Sequence, residues 1–111
     1  MTIDVDVLET ASRFGLDPTL VQSVVNAEGD ILKAVRCSIP SAKDRADAID
    51  ILCRSLVHRL NDFVHITDPV GFVEFFAQKW APVGVANDPH GLNANLPKNV
   101  KAFWLGTTVN A

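Results

Sequence analysis

Tyrosine is missing from this chain and cysteine nearly so: among 111 residues there are no Tyr and two Cys. Cys37 and Cys53 lie sixteen positions apart, with no Cys-x-x-Cys pair and no His at zinc-finger spacing. A Cys-rich zinc module and a multi-disulfide scaffold are therefore both excluded. A single bridge between the two stays open on sequence, although Cys53 sits on an apolar helical stripe and reads as a small core residue. No apolar run approaches the ~20 residues of a membrane span. Basic residues are few and scattered, 10 against 13 acidic for a net charge of −3, which argues against a nucleic-acid surface. His58, His65 and His90 are far apart and no His-Glu-x-x-His pair exists, so no metal site is indicated and no cofactor is expected. Glycines are too dispersed for a phosphate-cradling loop, and no Gly-x-Ser-x-Gly elbow supports a serine nucleophile. The opening Met1-Thr2-Ile3-Asp4-Val5-Asp6 is acidic and lacks the basic start of a signal peptide, so synthesis in the cytoplasm is expected.

What the chain does contain is helical patterning. Apolar residues make up 48% and charged residues 21%, ordinary for one globular domain of this length. A first helix is expected from about Asp4 to Phe14, turning Val7, Leu8, Ala11 and Phe14 inward, with Gly15 then Leu16 as its C-terminal cap. Asp17 suits an N-cap, Pro18 the first helical position and Gly29 the residue past the end of a second helix. A short helix follows through Ile31, Leu32, Ala34 and Val35 and must stop before Pro40. The longest stripe runs Ile49, Leu52, Cys53, Leu56, Val57, Leu60, Phe63, in a helix expected over 42–63 with Ser41 and Asp44 as a capping box. Its opposite face, with Arg45, Asp47, Asp50, Arg54, His58, Asn61 and Asp62, reads as solvated. Asp68-Pro69 repeats the start signal, and 70–80 predicts a helix whose Phe72, Val73, Phe76 and Trp80 face the core. The expectation is one all-α domain of five to six helices.

The exception to this periodicity is a loop over about 81–96, rich in Asn, Gly and Pro. A loop this long in so small a domain is unusual, and such loops are often functional. Asn87-Asp88-Pro89-His90-Gly91 is dense in turn signals, and Leu92 is the expected pin onto the body. A final helix is expected over 98–104, returning Val100, Phe103 and Trp104 to the core, with residues 106–111 frayed.

Glu28 carries the clearest chemical signal. It falls four residues beyond Val24 on the stripe formed by Leu20, Val21, Val24 and Val25. A carboxylate there faces the core or a cleft wall, at the helix end where the macrodipole opposes negative charge. Both influences favour the protonated form that a general acid needs. The plainer reading puts Glu28 at the edge of the stripe, reaching water. Amide and short polar side chains suit sugar recognition, since they donate and accept toward hydroxyl and N-acetyl groups. A glycosidase typically adds a second carboxylate, and the candidates are Asp30, Asp62, Glu74 and Asp88. Asp88 also reads simply as a turn former.

The run Ala11-Ser12-Arg13-Phe14-Gly15-Leu16-Asp17-Pro18 through Ala27-Glu28-Gly29 resembles the opening of lysozyme-like lytic transglycosylase domains. Those read as an aromatic, Gly, a hydrophobic residue, Asp-Pro, then a hydrophobic helix ending in Glu-Ser-Gly. The later segment from Trp80-Ala81-Pro82 through Asn87-Asp88-Pro89-His90-Gly91-Leu92 to Asn95 looks like small phage and prophage proteins of the same type. The first match covers about a sixth of the chain. Gly29 stands directly after the Glu where the family has Ser, the downstream Gly-Leu-Met-Gln motif is missing, and Leu96 replaces an aromatic. The resemblance implies a lysozyme-like fold and cleavage of the N-acetylmuramic acid–N-acetylglucosamine bond of peptidoglycan glycan strands. It makes Glu28 the sole acid/base and assigns Asn87, Asp88, Asn93 and Asn95 to the sugar cleft. It also implies a phage setting, in which the protein is virion-associated or released to the periplasm. The rival expectation is a non-catalytic phage or prophage structural protein with virion proteins as its partners.

Overall fold

The computed structural model describes residues 1–64, 71–85, 88 and 90–109, with side chains up to residue 104. Six α-helices and no strand occur among the described residues: α1 Val5–Phe14, α2 Pro18–Glu28, α3 Ile31–Arg36, α4 Arg45–Phe63, α5 Phe72–Trp80 and α6 Leu96–Val109, with a 3₁₀ turn at Leu92–Asn95. The chain is thus a small all-α domain. No described helix is long and apolar enough to cross a membrane.

The centre of the fold is α2. The Asp17 side chain accepts the Thr19 N–H at 2.9 Å and Pro18 opens the helix, so the start follows the sequence signal. Six consecutive residues, Leu20 to Val25, are buried, which is more than one stripe. The reason is packing on several sides, against α1, α3, α4 and most extensively α6. Burying each of Leu20, Val21, Val24 and Val25 contributes about 1.5–3 kcal/mol. The two polar residues caught inside are satisfied. Ser23 Oγ donates to the Thr19 carbonyl at 2.7 Å, and Gln22 accepts the Asp4 N–H at 2.9 Å while donating to Asp4 and Asn26. Arg45 pairs with both Asp4 and Asp6, so the same network ties the start of α1 to α4.

Around α2, α1 ends as expected. Gly15 adopts a left-handed φ of 68°, and its N–H and that of Leu16 return to the Ser12 and Ala11 carbonyls. Leu8, however, is 47% exposed, and Thr10 is buried in its place. Leu8 lies roughly 100° around the helix from Val7, off the Val7–Ala11–Phe14 face. The α4 cap also falls later than the sequence suggests. Asp44, not Ser41, is the N-cap; it accepts the Asp47 N–H at 2.9 Å, and the Asp47 carboxylate reaches back to the Lys43 N–H at 2.9 Å. On α4 Ile49, Leu52, Cys53 and Leu56 are fully buried. Asp50, placed on the solvated face by its spacing, is half-buried between Arg13 and Arg54. Cys53 and the exposed Cys37 are both free thiols, so no bridge joins them. Burial pushes the Cys53 thiol up to about 11, helped by the nearby Asp50, which suits an inert core residue.

The C-terminal third is built differently. The Asp68-Pro69 start signal lies outside the described residues; α5 begins at Phe72 with Gly71 as its N-cap. A ring row runs from Phe63 through Phe72 and Phe76 to Trp80, with centroids 5.5, 6.2 and 5.6 Å apart. After α5 the loop is pinned by Asp88 rather than Leu92, which is 64% exposed. The buried Asp88 carboxylate accepts the Gly84 and Asn93 N–H groups at 3.1 Å each, and its own backbone joins Val85 and Gly91. The last helix starts at Leu96 and continues to Val109, so residues 106–109, expected to fray, are helical. Val100 is buried as expected, while Phe103 is 42% exposed.

Candidate active-site cleft around Glu28

Two helix C-termini meet at the site, those of α2 and α5. Glu28 is the last residue of α2. Gly29 follows at φ +78°, a conformation in which a side chain is strained, and the Asp30 N–H then bonds the Glu28 carbonyl at 3.0 Å. Asp30 at once caps α3 by accepting the Lys33 N–H at 3.1 Å. The chain therefore turns sharply at Glu28, which leaves its side chain on a corner facing a cleft of about 540 Å³. It is lined by Val35 of α3 with Cys37, Ser38 and Ile39 after it, by Ile51 and Ser55 of α4, and by Lys79 and Trp80 of α5, continued by Pro82, Val85 and Asn93 of the loop.

Burial raises the pKa of Glu28 above its ordinary 4.5, and the polar edge of the neighbouring Trp80 side chain offsets part of that rise. The α2 macrodipole acts in the same direction as burial, since its negative end lies at Glu28. The carboxyl group is thus biased toward its neutral, proton-donating form while still reachable from the cleft. Polar groups nearby are Ser38, Ser55, Lys79 and Asn93, set among apolar and aromatic surface. That mixture suits a ligand with hydroxyl edges and apolar faces.

None of the candidate second carboxylates lines this cleft. Asp30 caps α3 on the exposed surface. Asp62 is held by Arg59 at 3.0 Å, with His58 at 3.6 Å. Glu74 pairs with Lys101 and lines a second cleft of about 420 Å³ on the far side of the Pro82–Asn93 contact. Asp88 is buried against its own loop. No group of three His, Cys, Asp or Glu that could hold a metal ion occurs among the described residues.

Of the four residues assigned to sugar binding, Asn87 lies outside the described residues. Asp88 is 5% exposed, and its carboxylate is engaged by loop backbone. Asn93 does line the Glu28 cleft; its backbone N–H bonds Asp88 and its amide donates to the Pro82 carbonyl at 3.1 Å. Asn95 is exposed in the 3₁₀ turn and borders neither cleft. The structure thus brings Asn93 to Glu28, while Asp88 organises the loop that presents it.

Sequence reasoning missed Trp80 and Lys79, and with them Ser38, Ser55 and Cys37. Trp80 reads as core because it continues the Phe72–Phe76 spacing. Its position as the last residue of α5, directly before a long loop, was the available signal: a ring there is free on one side. Ser38 and Ser55 left no pattern, since only the tertiary fold brings α4 against the turn after α3. No protein-family model, curated protein or solved structure matches the chain.

Proposed function

We propose that this chain is a minimal lysozyme-like glycosidase of phage or prophage type that cleaves peptidoglycan glycan strands with Glu28 as its single acid/base. The observation that carries the reading is a half-buried Glu with a raised pKa, ending the central buried helix in a cleft whose described lining includes no other carboxylate. The hydrophobic helix ending in Glu is also the feature on which the sequence resemblance rests.

In the first step the protonated Glu28 donates its proton to the glycosidic oxygen as the bond from the muramic C1 breaks, releasing the N-acetylglucosamine side as an alcohol. The resulting carboxylate then accepts a proton from the nucleophile that attacks C1, which regenerates the acid. If that nucleophile is the muramic 6-hydroxyl the product is a 1,6-anhydro sugar; if it is water the product is a reducing end. The lone carboxylate favours the internal hydroxyl, because the described lining offers no second carboxylate to position and activate a water. Digestion of purified peptidoglycan, with the soluble products read by mass spectrometry, tests this. Anhydro-muropeptides are expected, reducing ends would make the enzyme a hydrolase, and no products from folded protein would refute the reading.

A non-catalytic role as a phage or prophage component is favoured by one observation, the exposed apolar pair Val5 and Leu8 one turn apart on α1. On that reading the partner is another virion protein and the Glu28 cleft is incidental.

A further inference from the structure

Along a strand of N-acetylglucosamine and N-acetylmuramic acid the hydroxyl, ether and acetamido groups are all uncharged. The exception is the lactyl carboxyl of the muramic sugar. It is a neutral amide where a stem peptide is attached and a free carboxylate where the peptide has been removed. Whether the cleft tells these two polymers apart depends on its own charges. Glu28 and Lys79 are the only Asp, Glu, Lys, Arg or His residues in its described lining. The first step needs Glu28 protonated, and in that state Lys79 is the one charge left of the two. It enters no ion pair among the described residues. It stands in the last turn of α5, where the helix dipole favours a cation, and its ammonium lies 6.0 Å from the centroid of the buried Phe75 ring. Both contacts steady a positive charge without neutralising it, so its attraction remains for an anion entering the cleft.

We propose that Lys79 is the specificity-determining residue of this cleft: it selects glycan strands from which the stem peptides have been removed, by pairing its ammonium with the free lactyl carboxylate of the muramic sugar. On a strand that keeps its peptides the same position is a neutral amide, which offers Lys79 no anion. The inference rests on the glycosidase reading for the polymer it names, while recognition of the carboxylate is a binding property of the free protein. It also sets an order of reactions: hydrolysis of the lactyl–peptide amide bond by another enzyme comes before cleavage by this chain.

The test compares wild type, Lys79→Met and Lys79→Arg on purified strands with intact stem peptides and on the same strands after enzymatic removal of the peptides. Binding is followed separately by NMR titration, which needs no turnover. The probes are the disaccharide of N-acetylglucosamine and N-acetylmuramic acid, and its lactyl methylamide. Wild type is expected to show a kcat/KM about fivefold higher on the stripped strands, and to bind the free acid about fivefold more tightly than the amide, the scale of a partly exposed ion pair. Lys79→Met loses both ratios, Lys79→Arg keeps them, and raising the ionic strength shrinks them. Equal turnover of the two polymers by wild type overturns the proposal. So does a preference for the acid that survives in Lys79→Met. If wild type cleaves neither polymer, the glycosidase reading fails and the disaccharide titrations still decide: equal affinity for acid and amide, or binding of neither, overturns the role given to Lys79.

Discussion

From α1 to α4 the buried apolar side chains are aliphatic apart from Cys53, with no aromatic among them; from α5 onward Phe75 and Phe76 enter the core, and a carboxylate, Asp88, is buried. The first region packs helix on helix around α2, which α6 of the second region also covers, and its polar intrusions are answered locally, as Gln22 is by Asp4 and Asn26. The second is held by a ring row and by one acidic side chain bonding two loop amides. Glu28 belongs to the first region and Trp80 to the second, so the cleft lies on the seam between them. A rigid aliphatic body thus fixes where the acid stands. The aromatic and loop-built part decides what surrounds it.

That contrast can be broken most strongly from the aliphatic side. Leu52→Ala empties a fully buried position on α4 and is expected to cost about 2–5 kcal/mol in urea or guanidinium unfolding, with the whole fold lost in one transition. Asp88→Ala acts on the other region. It strips the Gly84 and Asn93 N–H groups of their acceptor and should cost about 1–3 kcal/mol, less than the core cut. Its distinguishing sign is local: hydrogen exchange at those two amides speeds up while α2 and α4 amides stay protected. Exchange accelerating equally across α2 would mean the two regions are not separable.

The smallest effect sharpens the seam itself. Folding raises the Glu28 pKa, so this group's stabilising contribution is complete below its ordinary 4.5 and is lost as the pH rises through the folded value. Glu28→Gln, which cannot ionise, is therefore expected to melt a few degrees above wild type at pH 7. The gain should vanish as the pH falls below about 4.5. A variant less stable than wild type at pH 7 would show that the carboxylate is well solvated or better paired than the cleft geometry implies.

The same division sets what could be read from the chain alone. The α2 boundaries follow from Asp17, Pro18 and Gly29, and the α4 core from the spacing of Ile49, Leu52, Cys53 and Leu56, because helix caps and a 3.6-residue period are local and leave a pattern. Small errors there have local causes too: Leu8 sits just off its face, and Asp44 outcompetes Ser41 as cap because Asp47 completes the exchange of bonds. Glu28 was legible because it extends a visible stripe. The rest of the cleft was not. Asn93 reaches it through the Asp88-centred loop, whose bonds are to backbone and carry no period. Lys79 and Ser55 border it only through the packing of α5 and α4, which is long-range. Trp80 looks like core by spacing and is core on one face only.

The central claim is that Glu28 is the acid that breaks a peptidoglycan glycosidic bond, and release of soluble muropeptides by wild type and by Glu28→Gln, both shown to be folded, tests it most directly. General acid catalysis is worth about 10²–10⁴ in rate, so the variant is expected to release no detectable product in the time wild type gives a full digest. Equal release by the two proteins would contradict the account.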